Sequence, residues 1–340
     1  MSLLAIKRLV PGVLLSVLVG VVSVGIARVE ELLFGHAIIE GLVVAILLGM
    51  VVRTLWTPPE SLDIGVRFTA KQVLEVAVFL LGAAVDLPLL LRAGPALAVS
   101  ILLVVVLGIL ASFTIGRSLG LPAKLAILVA CGNGICGNSA IAAVAPVIHA
   151  DREHVASSIA FTAILGVIVV VGLPLLVAPL HLSFYQYGVL AGLTVYAVPQ
   201  VLAAAFPVSA LSGQVGTLVK LVRVLMLGPV VLFFALRHRR ERGDQPATQR
   251  FSITRFVPWF IIGFLLLATL RSSGMLDERT ATGARVLSTW LTVAAMAALG
   301  LGVDVRVVRR VGRPVVATVS ASLLVLVAMA LTLIHGLGIR

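Results

Sequence analysis

The stretch Cys131-Gly132-Asn133-Gly134-Ile135-Cys136-Gly137-Asn138-Ser139 sits inside an apolar segment running from about Leu125 to Ile148. Three glycines and two asparagines there oppose a continuous helix. Glycine costs about 1 kcal/mol relative to alanine in a helix interior, and asparagine prefers caps and turns. The motif Cys-Gly-Asn occurs at 131–133 and again at 136–138. Irregular backbone at membrane depth is tolerated only where it is buried in protein or lines a wet cavity. A helix broken near the midplane exposes amides and carbonyls, which is how many secondary transporters build a substrate site. The alternative is a seam of small residues where two helices touch. Two asparagines suit close packing poorly, so the expectation is a break between about Cys131 and Asn138.

The setting of that stretch is a membrane. Of 340 residues, 60% are hydrophobic and only 12% charged, with a mean hydropathy of +1.17. A soluble domain is nearer half apolar and a quarter charged. Apolar runs of about 20 residues recur near 9–27, 36–52, 72–91, 95–116, 123–149, 155–178, 186–206, 214–236, 256–273, 284–303 and 314–335. This pattern predicts an all-α polytopic membrane protein of about eleven helices, forming one membrane domain over residues 1–340. The run after Lys7 and Arg8 is long for a signal sequence and lacks a clear cleavage site, so it reads as a retained first helix within 1–30.

The formal charge of +12 would suggest nucleic acid in a soluble chain. Here it reads as loop charge instead, and no nucleic-acid partner is expected. With the N-terminus inside, the inner loops hold Lys7, Arg8, Arg53, Arg67, Lys71, Arg117, Lys124, Arg237, Arg239, Arg240, Arg242, Arg250, Arg255, Arg306, Arg309, Arg310 and Arg313. The outer side holds Arg28, Arg92, Arg152, Arg271, Arg279, Arg285 and Arg340. That bias predicts a multi-pass protein of the inner (plasma) membrane, with its N-terminus cytoplasmic and its C-terminus external. The polar linker 237–255 reads as a cytoplasmic loop.

Two internal echoes bear on topology. Leu81-Gly82-Ala83-Ala84-Val85-Asp86 resembles Leu299-Gly300-Leu301-Gly302-Val303-Asp304, seven spans apart; Ala70-Lys71-Gln72-Val73-Leu74 resembles Leu218-Val219-Lys220-Leu221-Val222, five spans apart. Both offsets are odd, so either relates segments of opposite orientation. The five-span offset is favoured: it gives an inverted 5+5 repeat, 36–178 and 186–335, after an extra N-terminal helix. It pairs segment 5 with segment 10, whose Ala297-Ala298-Leu299-Gly300-Leu301-Gly302 run is the expected second break, near Ala298 to Gly302, with the two broken helices crossing at the midplane.

Phe68-Thr69-Ala70-Lys71, the Cys-Gly-Asn stretch continuing through Ser139 to Ala145-Pro146-Val147-Ile148, Thr217 to Leu225, and Ala295 to Leu301 together resemble the YeiH family, whose members carry a sulfate-exporter label. The resemblance runs in order from about Gly65 to Gly312. It implies the inverted-repeat fold related to bile-acid symporters and sodium/proton antiporters. The chain departs from the family at Tyr196-Ala197-Val198-Pro199-Gln200-Val201, where many members carry His and an acidic residue before Ala-Gln-Val.

Several side chains are candidates for chemistry. Lys220 and Arg223 lie i, i+3 apart on one helical face of segment 8, and charges inside spans usually face a cavity or a partner. They are expected to bind an anion, with snorkelling to the headgroups as the alternative. Asn133, Asn138 and Ser139 supply amide and hydroxyl dipoles, while Gly132, Gly134 and Gly137 admit close approach to backbone. Tyr196, Pro199 and Gln200 interrupt segment 7, and the expectation is either that they line the same cavity or that they mark a simple proline kink. Glu75, Asp86, Asp304 and the His36/Glu40 pair read chiefly as span-end caps or partners of arginines, with a coupling proton as the second reading. His149, Asp151 and His154 superficially suggest a metal, but Asp151 reads better as an N-cap, and no metal site is expected.

No nucleophile–base set is found in segments 5, 7 and 8, so an enzyme is not expected, and no cofactor beyond a coupling H+ or Na+. The function expected is a secondary transporter, an exporter, of a small anion such as sulfate, a sulfur oxyanion or a sulfonate. The alternatives are an anion or cation channel and a sodium- or proton-coupled carboxylate transporter. Partners are the anion, the lipid bilayer and, as a homodimer, a second copy.

Overall fold

A computed structural model describes residues 3–34, 41–56, 58–84, 94–242, 259–304 and 313–337. His36, Glu40, Asp86, most of the 237–255 loop and Arg340 lie outside these residues. In chain order the helices are α1 (Leu3–Phe34), α2 (Gly41–Leu55), α3 (Glu60–Phe68), α4 (Leu74–Leu81), α5 (Gly94–Ser118), α6 (Ala123–Cys131), α7 (Asn138–Val144) and α8 (Arg152–Gly172). Then come α9 (Phe184–Thr194), α10 (Val198–Ala205), α11 (Ala210–Leu225), α12 (Leu227–Arg242), α13 (Trp259–Ser272), α14 (Glu278–Leu301) and α15 (Arg313–Gly336). A π-helical turn, Thr69–Val73, joins α3 to α4, and another, Gly132–Cys136, follows α6. No strand occurs among the described residues.

Among the described residues, six stretches are long and apolar enough to cross a bilayer: Arg8–Leu33, Ala96–Ser118, Arg152–Leu176, Ala210–Arg237, Glu278–Leu301 and Arg313–Gly336. Gly41–Leu55, Ala123–Cys136 and Trp259–Ser272 are shorter apolar helices. The chain is therefore an all-α polytopic membrane protein, as its composition predicts.

Packing divides it into two compact units, Met1–Leu90 with Trp259–Val307, and Leu91–Pro258 with Val308–Arg340. These units interleave along the chain. In the first unit, α2 meets α14 backbone to backbone. A Cβ at Gly49 would lie 2.4 Å from the Ala297 carbonyl oxygen, and one at Gly300 would lie 2.2 Å from that of Ile46.

That contact corrects the expectation for segment 10. α14 runs unbroken through Ala298 to Leu301, and Gly302 (φ −83°, ψ −9°) is its C-cap. The small residues there serve close packing, which needs a smooth helical backbone. The repeat pairing that matched segment 5 with segment 10 thereby loses its second break. The seven-span echo instead marks two helix ends of this unit, at Gly82–Ala84 and at Gly302.

The described residues of the second unit include two interrupted segments. One is α6–α7, broken at Gly132–Gly137. The other is α9–α10, where Val195 (φ −68°, ψ 144°) and Ala197 (φ −110°, ψ 151°) are extended. Pro199 explains the second break: it has no N–H to return to the Val195 carbonyl, so a continuous helix would leave that acceptor unpaired.

Candidate functional site

A broken helix must find partners for the carbonyls its first half leaves open. In α6 and the π-turn after it, the open carbonyls belong to Asn133, Gly134 and Ile135; in α9 they belong to Gly192, Leu193 and Val195. All six are met by two side chains of α11. Arg223 donates from Nη2 to Asn133 (2.8 Å) and Gly134 (2.8 Å), and from Nε to Gly134 (3.2 Å). Its Nη1 donates to Gly192 (2.9 Å) and Leu193, with Val195 at 3.4 Å. Lys220 Nζ donates to Ile135 (2.5 Å) and Val195 (2.8 Å). The carbonyl that Pro199 cannot reach is thus taken by Lys220.

Glycines of α9 set the distance. A Cβ at Gly188 would lie 2.8 Å from the Ser212 carbonyl oxygen, and one at Gly192 would lie 2.6 Å from that of Gly216. The Gly-x-x-x-Gly pair draws the α9 and α11 backbones together and leaves Arg223 within reach of the α9 terminus. Tyr187 ties α9 to α10 across the break by donating to the Ala204 carbonyl (2.8 Å).

Lys220 and Arg223 are 0% and 1% exposed. They do not snorkel, and their donors already hold carbonyls at both breaks. No Asp or Glu occurs in Ala123–Val144, Phe184–Ala205 or Ala210–Leu225. Cys131 and Cys136 are free, buried thiols.

The breaks lie against each other. Gly137 has φ +66° and ψ −125°, a conformation that an L side chain resists, and a Cβ there would sit 3.4 Å from Tyr196 Cβ and 3.9 Å from Thr162 Cβ. Asn138 hydrogen-bonds through its side chain to the Thr162 hydroxyl. Gln200 accepts the Ala197 N–H at Oε1 (3.2 Å) and packs on Gly166 of α8, where a Cβ would lie 2.1 Å from its Nε2. Asn138 and Ser139 are exposed, although the preceding residues Cys131 to Gly137 are all buried.

Two polar groups at this crossing stand out. Both amide atoms of Asn133, fully buried, lack a hydrogen-bond partner, and so does the hydroxyl of Tyr196, 1% exposed. A buried polar atom without a partner costs about 1–3 kcal/mol. The structure therefore brings Asn133, Gly134, Gly137, Asn138, Ser139, Tyr196, Gln200, Lys220 and Arg223 to one crossing within the second unit. Sequence reasoning passed over Thr162, Gly166 and Gly192, which fix the crossing's shape. The spacing of Gly188 and Gly192 on an apolar helix was the available signal for the last.

The remaining candidates lie elsewhere. Asp151 occupies the N-cap position of α8, yet its carboxylate makes no cap bond and instead sits 3.3 Å from His154 Nδ1. In the first unit, Glu75 accepts the Trp259 indole N–H at 2.8 Å.

The chain belongs to the family described as conserved hypothetical protein 698, whose profile matches residues 11–318. It is 53% identical over 330 residues to a UPF0324 membrane protein of Bradyrhizobium diazoefficiens, covering 97% of this chain and 94% of the relative. A UPF0324 membrane protein of Brucella suis is 53% identical over 334 residues, 98% of each chain. One from Bacillus cereus is 34% identical over 297 residues, 87% of each. All three names denote membrane proteins.

Proposed function

We propose that this protein is a secondary transporter of a small anion, sulfate or a related sulfur oxyanion or sulfonate, exported by alternating access around the crossing of the two breaks. The observation that carries the reading is the pair of cations from α11 holding six carbonyls of two broken helices, beside unpartnered buried polar groups. Each helix C-terminus carries roughly −0.5 of a charge and each N-terminus roughly +0.5. Two breaks contribute two of each, so these terms cancel. The formal charges of Lys220 and Arg223 remain, with no carboxylate in α11 or in the segments that carry the two breaks, and such a region favours an anion.

Lys220 and Arg223 act here as the frame and the field of the site. Direct contacts fall to groups with unused capacity: the Asn133 amide, the Tyr196 hydroxyl and the exposed Asn138 and Ser139. The Asn133 and Tyr196 donors suit oxyanion oxygens, and a bound anion accounts for their cost in the unliganded protein. The resemblance to the YeiH family supports sulfate as the first anion to try. The loop charges support a plasma-membrane protein with its N-terminus in the cytoplasm. Enzymatic turnover is no part of this reading.

The test is radiolabelled sulfate counterflow in proteoliposomes of the purified protein, with and without sodium and at several pH values, beside a thermal-shift screen of small anions. Saturable exchange, and a melting temperature raised by the transported anion, are the expected results. Flux that neither saturates nor exchanges would overturn the reading in favour of a channel.

A further inference from the structure

In the first unit, α1 and α3 also touch backbone to backbone. A Cβ at Gly12 would lie 2.2 Å from the Leu62 carbonyl oxygen, and one at Gly65 would lie 2.2 Å from that of Leu9. Beside this contact opens a cleft of about 1060 Å³. Arg8, Arg67 and Lys71 line it, with Asp63 as the acidic residue among its lining. Asp63 is already shared between Arg53 and Arg67, each at 3.2 Å. Arg8 and Lys71, both exposed, have no ion-pair or hydrogen-bond partner among the described residues.

The rest of the lining is apolar at Leu9, Pro11, Ile64 and Phe68 and polar but uncharged at Ser61 and Gln72. Arg8 is the first residue of the apolar span Arg8–Leu33, where a basic side chain reaches headgroup depth. About two to four turns further along, α1 exposes Leu14, Leu18 and Val21, the surface expected to face acyl chains. The cleft therefore combines two uncommitted cations with apolar walls that continue into lipid-facing surface.

An amphiphile with one negative charge matches that combination. A free phosphate would satisfy the cations and leave the apolar walls wet, and a zwitterionic headgroup would bring a cation of its own toward Arg8 and Lys71. The volume exceeds what a phosphate needs and lies at the upper end of ordinary ligand pockets. We propose that the cleft between α1 and α3 binds an anionic phospholipid, its phosphate on Arg8 and Lys71 and its glycerol and first methylenes against Leu9, Ile64 and Phe68. This site is independent of the transport reading, because every residue in it belongs to the first unit.

The experiment uses the full-length purified protein, with thermal shift and native mass spectrometry as readouts. The probes are dioctanoyl phosphatidylglycerol, dioctanoyl phosphatidylcholine and inorganic phosphate. Phosphatidylglycerol is expected to raise the melting temperature and appear as a bound adduct, whereas the other two leave both unchanged. Removing both cations in Arg8→Gln/Lys71→Gln should weaken phosphatidylglycerol binding roughly 30-fold. The lipid-free melting temperature should not move, and Lys71→Arg should retain binding. An equal response to phosphatidylcholine or to phosphate alone, or wild-type binding by the double variant, would overturn the proposal.

Discussion

In Cys131–Ser139 the backbone leaves the helix at Gly137, whereas in Ala297–Gly302 it stays helical to Leu301. Both stretches crowd small residues into an apolar span. The difference lies in what surrounds them. The first contains two asparagines and a glycine at φ +66°, and it has Lys220 and Arg223 from a helix 85–90 positions along the chain to take its freed carbonyls. The second has the α2 backbone against it at Gly49, and its glycines keep helical angles. Glycine permits either outcome. A partner for the orphaned carbonyls selects the break.

That contrast gives its largest expected effect at Arg223. Arg223→Ala would remove the partner of five of the six carbonyls, of which only that of Val195 keeps another donor, in Lys220. At about 1–3 kcal/mol for each buried unsatisfied group, the loss is comparable to the whole stability of a domain. The variant should fail to yield a monodisperse protein in size-exclusion chromatography. Arg223→Lys should give folded but less stable protein, since one ammonium cannot reproduce the planar fork. Folded, stable Arg223→Ala protein would break the comparison, because the break would then stand without its partner.

Glycine substitutions sharpen it next. Gly137→Ala should cost about 1–3 kcal/mol through backbone strain, since its Cβ meets only ordinary contacts. Gly300→Ala should cost a similar amount by another route, its Cβ forcing α14 away from the Ile46 carbonyl. Gly302→Ala, at φ −83° and with its nearest new contact 3.3 Å from Leu299, should stay within about 0.5 kcal/mol. Melting temperatures of the three purified variants decide between these values. Equal losses at 300 and 302 would mean that the seam is no tighter than the helix end.

Fold class was legible from apolar runs alone, because a bilayer demands helices of set length. The first break was legible because Asn and Gly at that density have no better explanation. Its counterpart was only half legible: Tyr196, Pro199 and Gln200 mark an interruption of segment 7, but nothing pairs it with the first break. Segment 10 drew attention through glycine content, while the signal in segment 7, Pro199 beside Tyr196, looks like an ordinary proline kink until the destination of the Val195 carbonyl is known. The fate of Lys220 and Arg223 was hidden for the same reason: a sequence shows which donors are inside a span, but not which acceptors have lost their own partners. Interleaving of the two units was equally out of reach, since α13 and α14 join α1 through α4 across more than 170 intervening residues.

Tyr196→Phe carries the smallest effect on stability and the most information about function. The hydroxyl is buried and has no hydrogen-bond partner, so deleting it removes an unmet desolvation cost and breaks no bond. The Cβ that lies against Gly137 is unchanged and the ring is kept, so packing at the crossing is kept. The melting temperature without ligand should be unchanged or slightly higher. If the hydroxyl is there to meet an anion, the variant should bind that anion more weakly by about 1 kcal/mol for a neutral contact, or up to about 3 kcal/mol for one to a charge. Those values correspond to roughly fivefold to 150-fold in affinity. The two readouts must move apart: stability held or gained, binding and counterflow reduced. A variant that melts like wild type and also exchanges anion like wild type would remove Tyr196 from the site and leave Asn133 as the remaining unpartnered group to test.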